Sequence, residues 1–258
     1  MIAFKSIGRS WFQNIPSSAI KQVRDLADEY ETVITYGSSM GGYAAIAFCD
    51  ELCADRVIAI APQYSIDPDF DTRWSKEARA IKEWHWTIKQ GSCQGRKVTV
   101  IYDELMNADL RQITHLKKTV QPDAWHEIHV PFGGHTPAKL LAETGQISVV
   151  TSALLEDADD VVLGYRWSKL RTSSTYLFNL GAYAARHQRY KLAALALNRM
   201  LAQKNHNTPI AHNLLSTVMI ELNQPHLAIA HLAILTHLRP NNTALRNKLS
   251  RLIEKTVH

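Results

Sequence analysis

Between residues 2 and about 143, short β-branched runs alternate with stretches of helical period, and this alternation limits the chain more than any other feature. The order reads strand 2–6 (IAFKS), helix 17–29, strand 31–36, helix 41–52, strand 56–62 (RVIAIAP), a polar excursion over 63–96, strand 97–103 (KVTVIYD), helix 109–120, strand 127–132 (EIHVPF) and helix 136–143. A βαβα order predicts an α/β domain with a parallel sheet and helices on both of its faces. The excursion holds Trp74, Trp84 and Trp86. It reads either as a helical lid over a site or as a plain packing element.

After about residue 170 the strand signals stop and only helical periods remain, so two domains are expected, over 1–165 and 173–258. Superposing Leu180-Gly181 on Leu215-Ser216 sets an offset of 35 residues, which also matches Ala193 with Ala228, Leu197 with Leu232 and Met200 with Leu235. That period, with small residues where paired helices cross and Pro240 after the second unit, resembles tetratricopeptide repeats. The resemblance implies units at 173–207 and 208–242 and a capping helix at 243–256, although the family's aromatic-rich positions are only partly kept. A protein partner bound through such repeats is implied with them.

Composition excludes some classes. At 46% hydrophobic and 21% charged residues, the chain of 258 residues is an ordinary globular one, neither disordered nor fibrous. Its net charge of +5, from 29 Lys and Arg against 24 acids, is scattered along the chain. It reads as solubility, and no nucleic-acid partner is expected. No apolar stretch reaches the roughly 18 residues of a membrane span, and MIAFKSIGRS lacks a signal-peptide core, so a cytoplasmic protein without a membrane partner is expected. Cys49, Cys53 and Cys93 match no zinc spacing and read as free buried thiols, with no metal.

The stretch TVITYGSSMGGYAA, residues 32–45, runs from β-branched residues through Gly37-Ser38-Ser39-Met40-Gly41 into small helix formers. It resembles the nucleophile elbow of the α/β-hydrolase family, in which a strand enters Gly-x-Ser-x-Gly and leaves as a helix, lifting the serine above the sheet. The resemblance implies Ser39 as nucleophile. A serine hydroxyl needs a base to take its proton and a carboxylate to orient that base, and the family's chain order is serine, acid, histidine. His135, in VPFGGHTPAKLL just past the last expected strand, stands where the family carries its base. His126 and His129 lie at the start of that strand and on it, and His115 falls within a helix. The acid is either Asp109 or Asp103: Asp103 ends the strand itself, whereas Asp109 stands a few residues further on, where helix N-capping is its competing role.

For the oxyanion of acyl transfer, the resemblance implies the backbone N–H of Met40 and a second donor from a loop after an earlier strand. Strand 2–6 and helix 17–29 correspond to the unit directly before the nucleophile strand, so the donor-bearing strand lies further upstream than this sequence reaches. Either the loop IGRSWFQN serves instead, through Gly8 or Arg9, or the start is truncated relative to the family. Gln63 and Tyr64, in the loop after strand 56–62, either line the pocket or serve structure. The run from WFQN through YGSSMGGYAA, APQYSIDP and IYD to VPFGGH is similar to a group of bacterial α/β-hydrolase-like proteins of unassigned substrate, some joined to tetratricopeptide repeats. The resemblance implies a serine hydrolase acting without a cofactor on a small-molecule or glycan-linked acyl substrate such as a carboxylic ester. The alternative is an inactive hydrolase-like scaffold that binds a protein through its repeats.

Overall fold

The computed structural model describes residues 1–6, 8, 10–158, 161–203 and 208–257, and the chain divides into Met1–Gly164 and Tyr165–His258. The first unit is α/β. Its elements are α1 (Ser17–Ala27), β1 (Ile34–Ser38), α2 (Met40–Ala47), β2 (Arg56–Ile60), α3 (Ser75–Ala80), β3 (Lys97–Tyr102), α4 (Asn107–Thr119), β4 (Ala124–His129), α5 (Pro137–Thr144) and α6 (Ile147–Leu155). Among the described residues the four strands form one parallel sheet in the order β1-β2-β3-β4, with Ser38 opposite Ile60 and Ile60 opposite Ile101.

Burial follows from that order. The inner strands β2 and β3 are buried continuously after their first residue, as strands covered on both sides must be. In the edge strand β1 burial alternates, and Tyr36 and Ser38 face solvent. Val57, Ala59, Val98, Val100 and Tyr102 meet Ala45, Ile46 and Cys49 and the helical residues Ile113 and Leu116 in the main core. Helix α4 buries Asp109, Gln112, Ile113 and Leu116, the i, i+3, i+4, i+7 set of a single helical face. Its apolar end joins the core, and its polar end is left to meet other polar groups.

Residues 2–6 are not a strand. The alternation of IAFKS suits a strand, but Phe4 instead packs against Phe48 and the cluster of Phe12 and Ile20. That contact needs only one side chain buried and no ladder. The excursion 63–96 contains a 3₁₀ turn, Thr72–Trp74, and the short α3. Of its tryptophans, Trp86 packs against Phe48 and donates its indole N–H to the Ile15 carbonyl, whereas Trp84 is exposed. Cys49 and Cys93 are buried, with sulfurs 3.0 Å apart, but Cys53 is exposed, in the turn that follows α2 rather than on a helix reaching to residue 52.

The second unit is helical: α7 (Trp167–Leu170), α8 (Ser174–Arg186), α9 (Tyr190–Leu201), α10 (Pro209–Glu221), α11 (Pro225–Leu238) and α12 (Thr243–Val257). Consecutive helices pair as α8 with α9 and α10 with α11, and α12 packs on α11. The close approach of α8 and α9 is made at Gly181, where a Cβ would lie 2.7 Å from Leu197 Cγ. No described helix is long and apolar enough to cross a membrane.

Candidate active site

Ser39 occupies the junction between β1 and α2, with φ 53° and ψ −116°, a conformation costing on the order of 1–3 kcal/mol for a residue with a side chain. Three contacts hold it there. Its backbone N–H donates to the Ile60 carbonyl at the end of β2 (2.7 Å), its own carbonyl accepts from Tyr43 N–H (3.0 Å), and the turn closes so tightly that a Cβ on residue 37 would stand 2.1 Å from the Gly41 carbonyl oxygen. Gly37 is therefore required by space. A Cβ on Gly41 would meet nothing within 4 Å, whereas one on Gly42 would press on Pro62 Cα at 3.1 Å.

The turn brings Ser39 Oγ to 2.9 Å from His135 Nε2. On the other side of the ring, His135 Nδ1 stands 2.8 Å from Asp109 Oδ2. A carboxylate only accepts, so Nδ1 carries the imidazole proton and Nε2 is the free lone pair that receives the serine hydroxyl. The carboxylate on the imidazole is Asp109. It is the third residue of α4, whose N-cap position is Met106, so it does not cap the helix. Asp103 holds the loop instead: its oxygens accept the N–H groups of Gly134 (2.8 Å) and Leu105 (3.0 Å), fixing the backbone immediately before His135. Burial pushes the Asp103 carboxyl up, against the lowering by those backbone donors.

Gln63 is fully buried beside the pair. Its Nε2 donates to the Ala61 carbonyl (3.1 Å) and lies 3.3 Å from His135 Nε2, and its Oε1 is 3.5 Å from Ser39 Oγ. Tyr64 turns elsewhere: its ring packs on Phe70 and His115, and it lines a surface cavity of about 420 Å³ together with Tyr43, Ile66 and Trp84. Met40 is the first residue of α2, so its N–H has no carbonyl one turn back to bond. Gly8 is described, with φ 71°, and Arg9 lies outside the described residues.

Several participants carry no local signal in the sequence. Arg73 Nη1 donates to Asp109 Oδ1 at 2.7 Å, while its Nε and Nη2 reach Asp71 at 3.0 and 2.7 Å. Burial works against the Arg73 cation, but the two carboxylates outweigh it and raise its pKa. Burial likewise disfavours charged Asp71, yet Arg73 and Gln112 hold it below the usual carboxylate range. Trp74 sets its ring centroid 5.6 Å from that of His135, and Trp11, completely buried, lies edge-on 5.6 Å from Trp74. Besides Gln63, the excursion reaches this site through its Asp-x-Arg-Trp turn, with Arg73 on Asp109 and Trp74 beside His135.

Among the described residues no group of three or more His, Cys, Asp or Glu side chains is arranged to hold a metal ion. Comparison with protein-family models, with curated proteins and with solved structures finds no match for this chain.

Proposed function

We propose that the first unit is an α/β-hydrolase-like serine hydrolase acting on a carboxylic ester or related acyl group, with Ser39 as nucleophile, His135 as general base and acid, and Asp109 as the carboxylate that orients it. The observation carrying this reading is the unbroken run from Ser39 Oγ through the two ring nitrogens of His135 to a buried carboxylate, at 2.9 and 2.8 Å. Such a run does the work of activation. As Ser39 Oγ attacks the acyl carbon, its proton passes to His135 Nε2, and Asp109 stabilises the imidazolium that forms. The tetrahedral oxyanion accepts the N–H of Met40, the residue after the nucleophile, at the positive end of α2. Collapse expels the leaving group with the proton from His135 and leaves an acyl ester on Ser39, which water, deprotonated by the same histidine, then hydrolyses.

In this reading the second unit is a short tetratricopeptide-like array with α12 as its cap, available to a protein partner. Its support is that positions 35 residues apart share burial: Ala193 with Ala228, Leu197 with Leu232, Met200 with Leu235. A second reading, a hydrolase-like scaffold without activity, draws on one observation: residues 2–6 form no strand and β1 is the sheet edge among the described residues, so the strand that brings the family's second oxyanion donor has no counterpart there. One missing donor corresponds to about 3 kcal/mol, a hundredfold or more in rate.

Labelling with a fluorophosphonate separates the two. The hydrolase reading expects a covalent adduct that disappears in Ser39→Ala. A folded protein that takes no label at pH 8 overturns it in favour of the scaffold.

A further inference from the structure

Asp109 is 1% exposed, and an ionised carboxylate that deep needs more than one imidazole N–H. Its second oxygen is taken by Arg73, and Arg73 is gripped in turn by both oxygens of Asp71. The three side chains are locked from two directions. Asp71 Oδ1 accepts the Arg73 backbone N–H (3.0 Å), capping the turn that carries both Arg73 and Trp74. Asp71 Oδ2 accepts from Gln112 Nε2 (2.8 Å), which stands three residues after Asp109 on α4. Gln112 is fully buried, and its Oε1 takes the N–H groups of Tyr64 and Ser65. A charge run built this tightly does more than fill space, since apolar residues would do that at less desolvation penalty.

We propose that Arg73 and Asp71 are positioning residues for His135: the run Asp71–Arg73–Asp109 fixes the rotamer of Asp109 and sets how much net negative charge the imidazole meets. The proposal rests on the reading of His135 as general base. With all three members present, His135 faces one net negative charge. Without Arg73 it faces two, and the imidazolium is favoured; without Asp71 it faces none, and the neutral ring is favoured. These substitutions leave the other charged side chains on the same elements in place. Asp103 is held by backbone donors behind Gly134, Glu77 is buried on α3, and Arg111 lies over the Phe70 ring.

The test is an NMR titration of the His135 ring in the full chain, its signal assigned by its loss in His135→Asn. We expect Arg73→Gln to raise the midpoint by about one pH unit, Asp71→Asn to lower it by about half a unit, and the double variant to return close to wild type. Arg73→Lys, which keeps the charge, should leave the midpoint in place while slowing fluorophosphonate labelling of Ser39 through its poorer geometry. Opposite shifts that cancel in the double variant are the signature of charge coupling. Equal midpoints in all variants, or shifts of the same sign from Arg73→Gln and Asp71→Asn, overturn the proposal. Should Arg73→Gln fail to fold, Asp71→Asn decides: a midpoint that does not fall overturns it. Expected shifts without any labelling of Ser39 keep the charge coupling and reject the hydrolase reading.

Discussion

An alanine at position 37 would drive its Cβ into the backbone of the helix that starts three residues later, because the Gly41 carbonyl lies 2.1 Å from where that atom must go. Backbone cannot yield as a side chain does, so Gly37→Ala should unfold the elbow, lowering stability by more than about 3 kcal/mol in a denaturant titration. Gly41→Ala should do the reverse, adding up to about 1 kcal/mol, since its Cβ enters open space on a helix. The two glycines of one motif thus have different reasons to be there, and equal losses from both substitutions would sink that distinction. The resemblance of the motif pointed to Ser39 and that of the turn before α5 to His135, and the fold sets these two side chains 2.9 Å apart. Asp109 and Asp103 could not be separated in the same way: both follow β3, and which one meets the imidazole is set by where α4 begins. Arg73 lies 36 residues from Asp109, and nothing local marks that contact.

Beyond its backbone ladder with β3, strand β4 is linked to β3 and α4 through the side chain of Glu127. Its Oε2 accepts the Tyr102 hydroxyl of β3 (2.6 Å), and its Oε1 accepts from Lys117 of α4 (2.7 Å) and from Trp125 (2.7 Å). Burial alone would raise its pKa, but these donors outweigh burial and hold it at about 2, against an ordinary 4.5. Because the folded value is the lower one, the stabilisation is complete above about pH 4.5 and is lost as the pH falls through about 2. Glu127→Gln should therefore cost about 1–2 kcal/mol at pH 7, and the gap from wild type should close on titration from pH 5 to pH 2 followed by thermal melts. A gap independent of pH would mean that shape rather than charge matters there. Strands β2 and β3 were legible as β-branched runs because they bury nearly every residue, whereas β1 starts three residues later than the expected 31–36 and β4, with Ile128 alone buried, lies three residues before the expected 127–132. IAFKS also alternates, but a pattern specifies a strand only where a neighbouring ladder is offered, and Phe4 is half-buried instead against the cluster of Phe12, Ile20 and Phe48.

Each of the two units closes its own core: Val57, Val98, Val100 and Leu116 in the first, and Ala193, Leu197, Leu215 and Ala228 in the second. The helical character of the second unit was legible in the sequence, and Gly181, Leu197, Ser216 and Leu232, which the offset of 35 residues pairs, are all buried. Cores that are separate in this way should respond separately. In Gly181→Val the new side chain would overlap Leu197, whose own burial is complete, and overpacking of this kind destabilises by about 1–3 kcal/mol. The helical signal of the second unit should melt several degrees lower in that variant, followed by circular dichroism at 222 nm. Labelling of Ser39 at 25 °C should stay within about twofold of wild type, since a loss confined to one core leaves the other's equilibrium untouched. A labelling rate that falls in step with the melting temperature would show instead that the elbow depends on the helical unit, and the protein would have to be treated as a single cooperative body.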